Sequence, residues 1–363
     1  MRQPTSPFTL PRVLEMFVPL APHIERILDA ARIAPSRDNL QPWRFVVEGE
    51  TVSFMVDHER DRSPANAGGR MARIAVGAAI ECALLRAGRM GTIVRFQTPP
   101  RAGALATITF SSPKRFPEPD KALIRRATIR HLYDGRPVDD ATFAWLREAT
   151  PPYESARTVW FGRERVRTLG PIVEEAEELF FADQENRTAA LASVRFDVRD
   201  REEVTRGVSL GSMELSASER ITFDTLRRTP QDRLASMGIF KKTGARARRL
   251  VESASGVCVL TASGTEPAAD VAVGRSMQRA WLALTRRGLV AHPMSTIPAL
   301  DALPAGDERV AAVLASARAA FPNVDRGSRI ALILRFGWAA APTVRVGRLP
   351  LEESVALPPR ETP

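Results

Sequence analysis

The chain has 363 residues, room at roughly 150 per domain for two domains or one large one, and its 44% hydrophobic and 26% charged residues exclude a disulfide-stapled miniprotein. The formal net charge is +10, but residues 1–120 hold 16 Lys+Arg against 12 Asp+Glu, so the excess is diffuse. No basic tail, zinc finger or aromatic-interleaved basic strand accompanies it, so nucleic acid is not the expected partner.

The amino terminus mixes apolar residues with prolines, Arg12 and Glu15, and no apolar run reaches the ~18 residues of a membrane span. No membrane association and a cytoplasmic location are the expectation. Residues 21–34 place Ile24, Ile27, Leu28 and Ala31 at helical spacing before Pro35. After a loop, Trp43 to Val47 and Val52 to Val56 read as a hairpin, and residues 69–90 as a long helix whose small residues Ala75, Gly77, Ala78, Ala79 and Ala83 admit close helix packing. Strands follow at Ile93–Phe96 and Leu105–Phe110, then a polar, proline-rich junction. There we place a boundary between residues 1–118 and 119–363.

The second part reads as helices at about 119–128 and 139–148, a strand at 157–161 and helices near 163–183 and 187–193. Residues 194–244 read as an irregular, charge-rich, lid-like excursion. Beyond them come a helix at 245–254, the strand Val257–Thr261, a helix at 270–287, a short strand at 289–292, a helix near 307–320 and the strand Ile330–Phe336. The mixture without steady alternation implies an α+β fold. Cys82 and Cys258, the two cysteines, sit in apolar segments and are expected in the core.

Most catalytic signatures fail. The sequence has no GxGxxG, no GxxxxGK[ST] and no HExxH. Gly207-Val208-Ser209-Leu210-Gly211 matches a nucleophile elbow, but a charged run precedes it where a buried strand is needed. Three other segments suit one ligand, a flat heteroaromatic ring with a phosphate tail. In Ala34-Pro35-Ser36-Arg37-Asp38-Asn39-Leu40-Gln41-Pro42-Trp43, Ser36, Asn39 and Gln41 offer donors and acceptors for a ring edge; the plain alternative is a helix stop with Trp43 in the core. In Arg125-Arg126-Ala127-Thr128-Ile129-Arg130, Arg126, Thr128 and Arg130 can converge on a phosphate, against the alternative of a solvated helix end. In Gly288-Leu289-Val290-Ala291-His292-Pro293-Met294-Ser295-Thr296, a loop after a strand can face a ring with its backbone N–H groups, or simply join two elements.

Together these segments resemble the nitroreductase superfamily of FMN-dependent oxidoreductases. APSRDNLQPWRF is similar to its P-S-x-x-N-x-Q-P-W loop, RRATIR to its R-x-[ST]-x-[RK] phosphate motif, GRSMQRAWLALTRRGLVAHPMS to its helix-to-loop segment, and Arg345-Val346-Gly347-Arg348 to its carboxy-terminal phosphate arm. Here the arginine motif follows the loop, whereas the family places it first. The order resembles the larger Acg-like branch and implies two related halves forming an internal pseudo-dimer, as a monomer or a homodimer of it. The resemblance implies that Arg126, Thr128, Arg130 and Arg348 hold the FMN phosphate with Arg345 as helper. It places Ser36, Arg37 and Asn39 on the other side of the flavin, and Pro293, Met294, Ser295 and Thr296 by its ring, with a backbone N–H of Ser295–Thr296 near N5. Arg246 and Arg249 are candidates for the pyrimidine edge. The activity implied is electron transfer from NAD(P)H to a quinone, nitro compound or other small electron-poor acceptor, with flavin sequestration or a dehydrogenase of a biosynthetic intermediate as alternatives. No dedicated catalytic side chain and no metal are expected, because the flavin carries the chemistry.

Overall fold

The computed structural model describes residues 19–199, 203–264, 267–303 and 306–356. Helix α1 (Pro22–Arg32) starts on Pro22, whose missing N–H costs nothing at that position, and buries Ile24, Ile27, Leu28 and Ala31 along one stripe. Strands β1 (Trp43–Glu48) and β2 (Thr51–Val56) form the expected hairpin, with Glu48 opposite Thr51 and Gly49 at φ +59° in the turn. Helix α2 (Arg70–Met90) then leads to β3 (Val94–Gln97) and β4 (Ala104–Phe110).

Beyond β4 come α3 (Lys121–Arg125), α4 (Asp140–Ala149), β5 (Ala156–Phe161), α5 (Arg163–Ala182) and α6 (Gln184–Ala192). The helix expected at 119–128 is only five residues long, because Arg126 at ψ 125° leaves helical space and Thr128 pairs as an extended bridge with Ala291. The excursion at 194–244 also differs from expectation. After the short parallel pair β6 (Val194–Arg195) and β7 (Val208–Ser209) it is helical, with α7 (Ala217–Arg228), α8 (Gln231–Ser236) and α9 (Ile239–Glu252), the last beginning six residues before the expected helix. Its charges decorate amphipathic helices. Ser216 and Glu219 close a capping box at the start of α7, and Phe223 and Leu226 supply its buried face. Then come β8 (Gly256–Ser263), α10 (Pro267–Arg286), β9 (Val290–Met294), α11 (Thr296–Asp301), α12 (Glu308–Ala320), β10 (Ser328–Gly337) and β11 (Val355–Ala356), of which α11 and β11 were not expected.

The architecture is α+β, and its two main sheets follow one path. The first has the order β11-β1-β2-β4-β3 and the second β5-β8-β10-β9. In each, a first strand pairs antiparallel with a second, a long helix follows, and two further antiparallel strands complete the sheet. Where β1 and β2 are joined by two residues, β5 and β8 are separated by α5 to α9. Strand β11 then adds from the far end of the chain parallel to β1, with Phe45 N–H donating to Ser354 O at 2.8 Å.

The long helices α2 and α10 pack against each other through a reciprocal contact. A Cβ on Gly77 would overlap the Val271 carbonyl, and one on Gly274 would overlap that of Ile74. Each glycine thus meets the residue three positions before the other, as a local two-fold requires. The second sheet is buried on both faces. Cys258 and Leu260 enter the core around α2 and α10, while Val257 and Val259 enter a second core under α5, α9 and α12. On β10 a bulge between Ile330 and Leu332 shifts this alternation, so Ile330 and Ile333 share the second core while Leu332, Leu334 and Phe336 share the first. The first core runs from Ile24 to Leu351 and so crosses the 118/119 position. Among the described residues no helix is long and apolar enough to cross a membrane.

Candidate functional site

A cavity of about 270 Å³ opens where the α1–β1 loop, the segment after α3, the β9–α11 junction and the helices α5, α6, α7 and α9 meet. The segment after α3 supplies its cationic end. Residues 126–130 run extended beside β9, with Ile129 N–H donating to Ala291 O at 3.2 Å. A strand-like period of two puts Arg126, Thr128 and Arg130 on one side, and all three line the cavity, whereas Ile129 turns into the second core.

Arg126 and Arg348 meet there. Arg126 Nη2 donates to Ile33 O at 2.7 Å and its guanidinium lies 4.7 Å over the Trp281 ring. Arg348 donates to the carbonyls of Ala34 at 3.0 Å, Gly347 at 2.9 Å and Ile33 at 3.4 Å. Among the described residues no carboxylate acts on either. Burial pulls Arg126 down to about 10, and burial together with Arg126 pulls Arg348 down to about 9. Both stay charged at neutral pH, and the buried Arg126 Nε has no partner. Two adjacent buried cations, one with an unpartnered N–H and neither with a counter-charge among the described residues, fit a phosphate, the group the resemblance expects here. Arg130 differs: burial lowers its pKa, but Asp38 and Glu214 oppose the shift, and Nη1 donates to Ser212 O at 3.2 Å. Arg345 does not line the cavity; its Nη2 caps α3 by donating to the carbonyls of Ile124, Arg125 and Arg126 at 2.8–3.0 Å.

On the facing loop Asp38, Asn39 and Gln41 all have positive φ, a conformation that short polar side chains tolerate. The loop is cinched by its own amides. Gln41 Nε2 donates to Thr205 O at 2.7 Å, Gln41 Oε1 accepts from Leu349 N–H at 2.9 Å, and Asn39 Nδ2 donates to Thr205 O and Gly347 O, both at 3.2 Å. Ser36 Oγ accepts from Gln41 N–H at 2.9 Å. Much of the polar edge expected to meet a ring is therefore engaged in holding the loop, and the buried Asn39 Oδ1 is left without a partner. Arg37 lines the cavity but donates to Asp38 at 2.8 Å, to Asp61 at 3.1 Å and to Ser63. Trp43 is in the core, as the plain reading of this loop had it.

His292, Pro293, Met294, Ser295 and Thr296 line the opposite wall. His292 Nδ1 accepts from Arg335 Nε at 3.2 Å, which places the imidazole proton on Nε2. Burial, then Arg335, Arg130 and Arg246, push the His292 pKa well below its usual value, so the ring is neutral. Arg335 itself is fully buried, lies 4.0 Å over the Tyr133 ring and donates to the carbonyls of Leu250, Ile129 and His131. The remaining wall is apolar, with Phe180, Phe181, Leu191, Met213 and Phe223 from the excursion and the elements flanking it, interrupted by Glu177 and Arg246. Sequence reasoning missed Glu177, Phe180, Phe181 and Phe223, which carry no local motif, and gave no role to His292, which lies within the quoted 288–296 segment. Arg246 lines the cavity and Arg249 does not; Arg249 pairs with Glu219 at 3.2 Å. Ser209 is fully buried, its Oγ accepting from Ser212 N–H, and heads no nucleophile elbow.

Over 91 residues the chain is 34% identical to a putative NAD(P)H nitroreductase acg of Mycobacterium tuberculosis, covering 24% of this chain and 28% of that one. The similarity is to nitroreductases. Over 285 residues it is 24% identical to the uncharacterized protein MT1398 of the same organism, covering 76% of this chain; the match spans about two fifths (39%) of that relative. Among solved structures, the FMN-dependent nitroreductase NfnB from Mycobacterium smegmatis in complex with NADPH aligns at a TM-score of 0.38 and 20% identity, over 64% of this chain and 94% of that one. The FMN and NADPH-dependent nitroreductase NfnB from Sphigopyxis sp. strain HMH aligns at 0.38 and 20%, over 65% and 96%. No family model matches the sequence.

Proposed function

We propose that the chain is an FMN-dependent oxidoreductase of nitroreductase type that takes electrons from NAD(P)H and passes them to a quinone, nitro compound or other small electron-poor acceptor. The observation that carries this reading is the Arg126–Arg348 pair, two buried cations without a counter-anion at one end of a cavity that continues between the 36–39 loop and the 293–296 junction. On this reading Arg126, Thr128, Arg130 and Arg348 hold the phosphate, and Arg345 helps from behind by fixing the carbonyls around Arg126. Ser36, Arg37 and Asn39 border one side of the ring, Pro293 and Met294 the other, and a backbone N–H of Ser295 or Thr296 faces N5. Bound FMN would supply the two-electron redox chemistry. The chain's own residues would orient the ring, exclude water with the phenylalanines of the excursion and stabilise negative charge on the reduced ring with Arg246.

The shared path of the two sheets and the reciprocal Gly77–Gly274 packing support an internal pseudo-dimer, with residues 1–118 as the half that contributes the loop and 119–363 as the half that contributes the phosphate site. Reduced nicotinamide as donor fits a cytoplasmic protein with small-molecule partners. The deciding experiment adds FMN to purified protein, removes the free flavin and follows the spectrum anaerobically with NADPH and NADH. Retained flavin that bleaches supports the reading. A second reading, sequestration of FMN with little turnover, rests on the coverage of the cavity by Phe180, Phe181 and Phe223, and predicts retained flavin that neither nucleotide bleaches.

A further inference from the structure

The apolar wall of the cavity is interrupted by a single carboxyl group of α5. Glu177 Oε2 accepts a hydrogen bond from Thr296 Oγ1 at 2.6 Å, and this leaves Oε1 outside that bond. Among the described residues it has no ion-pair partner within 4 Å. Arg246 from α9 is turned to Glu219 of α7, at 3.2 Å, and Glu219 also takes Arg249. Asp38, from the loop before β1, adds negative charge, and His292 of β9 is neutral. On α5 itself, Glu174 is paired with Arg248 at 3.0 Å. Burial is the largest influence on Glu177 and raises its pKa, with Asp38 adding to the effect and Thr296 and Arg246 opposing it. A small side cavity of about 20 Å³ shares Glu177, Phe181, Phe223 and Arg246 with the main one and is also lined by Glu219, Thr222, Thr243 and the exposed Lys242. Glu177 therefore lines both the main cavity and a small one whose rim includes the exposed Lys242.

We propose that Glu177 is the proton donor to the electron acceptor, an inference that rests on the function proposed above. A quinone that receives a hydride from the reduced flavin gains two electrons and is left with one oxygen as an oxyanion. The Glu177 O–H bond breaks and an O–H bond forms on that oxygen, which gives the neutral hydroquinone and a Glu177 carboxylate. A proton from solvent, entering along Lys242 and Glu219, restores the acid. A donor of this kind is typically worth 10²–10⁴ in rate.

The test uses the whole chain, FMN and a water-soluble benzoquinone, and compares wild type with Glu177→Gln. In the flavin-free protein at pH 7, an infrared difference spectrum between the two is expected to show the C=O stretch of a protonated carboxyl group; carboxylate bands alone overturn the proposal. In stopped flow, the rate of reoxidation by quinone relative to the rate of bleaching by NADPH is expected to fall about a hundredfold in Glu177→Gln. The wild-type ratio is expected to decline at high pH and the variant ratio to be flat. An unchanged ratio and pH profile overturn the assignment of Glu177 alone. If wild-type flavin is not bleached by NADPH, the functional reading fails and the proposal fails with it.

Discussion

Arg126 and Arg348 donate to the same carbonyl, that of Ile33 at the end of α1, at 2.7 and 3.4 Å. Among the described residues their mutual repulsion in a buried site is offset by backbone carbonyl dipoles and, for Arg126, by the Trp281 ring, with no carboxylate beside them. Two opposite effects follow from one substitution. Arg348→Met is expected to raise the melting temperature of the flavin-free protein and to weaken FMN binding by about 1.5–3 kcal/mol, the range for a hydrogen bond to a charged group. Thermal unfolding and flavin titration of the same sample check both; unchanged flavin affinity removes Arg348 from the phosphate site.

Gly274→Ala is expected to destabilise the fold strongly, because its methyl group would meet the Ile74 carbonyl of a helix that is itself buried. Overpacking of this kind typically costs 1–3 kcal/mol, and a backbone neighbour can give way less than a side chain. Gly77→Ala, placed against Val271, is expected to behave alike, whereas Gly88→Ala, with open space around it, is expected to be tolerated. Urea unfolding of the three variants checks the ranking.

The neutral His292 predicts an acid sensitivity. Its folded pKa lies well below the 6.5 of an unperturbed histidine, so below about pH 6.5 the unfolded chain binds a proton that the folded chain refuses. Stability is therefore fully present above pH 6.5 and is lost as pH falls, by at most about 1.4 kcal/mol per pH unit for one proton. His292→Gln is expected to remove this component of the pH dependence. Melting temperatures between pH 5 and 8 measure it.

Phe223 of α7 meets Phe181 edge-on at a centroid distance of 6.4 Å and lines both the main cavity and the small side cavity. Phe223→Ala is expected to speed the dissociation of FMN and to admit bulkier acceptors. If the cover is a barrier to the donor, the variant is also bleached faster by NADPH than wild type. Flavin release into excess apoprotein and stopped-flow reduction distinguish the two effects.

The helices and strands with strong periodicity were legible in the sequence, because one-sided burial writes the period directly: Ile24, Ile27 and Leu28 for α1, and Val52 with Phe54 for β2. The fate of Arg126–Arg130 was not. Five residues at helical propensity are pulled into an extended bridge by Ala291, more than 160 positions away, and a tertiary contact of that range has no local signal. The excursion misled for a different reason, since its charges lie on the outer faces of helices whose few buried residues, Phe223 and Leu226 among them, are sparse in the sequence. At the site, Arg126 and Arg348 of the arginine motifs and Ser36 and Asn39 of the loop motif line one cavity. Glu177 was invisible and His292, though inside a quoted segment, had no assigned role, because their character comes from burial and from Thr296 and Arg335, which arrive from other elements.

The most direct test of the functional account is the absorbance of the purified protein after incubation with FMN and removal of free flavin, followed anaerobically by NADPH and then by a quinone. The account predicts a retained flavin spectrum that NADPH bleaches and quinone restores. FMN that washes away completely, from wild type and at low salt, would contradict it.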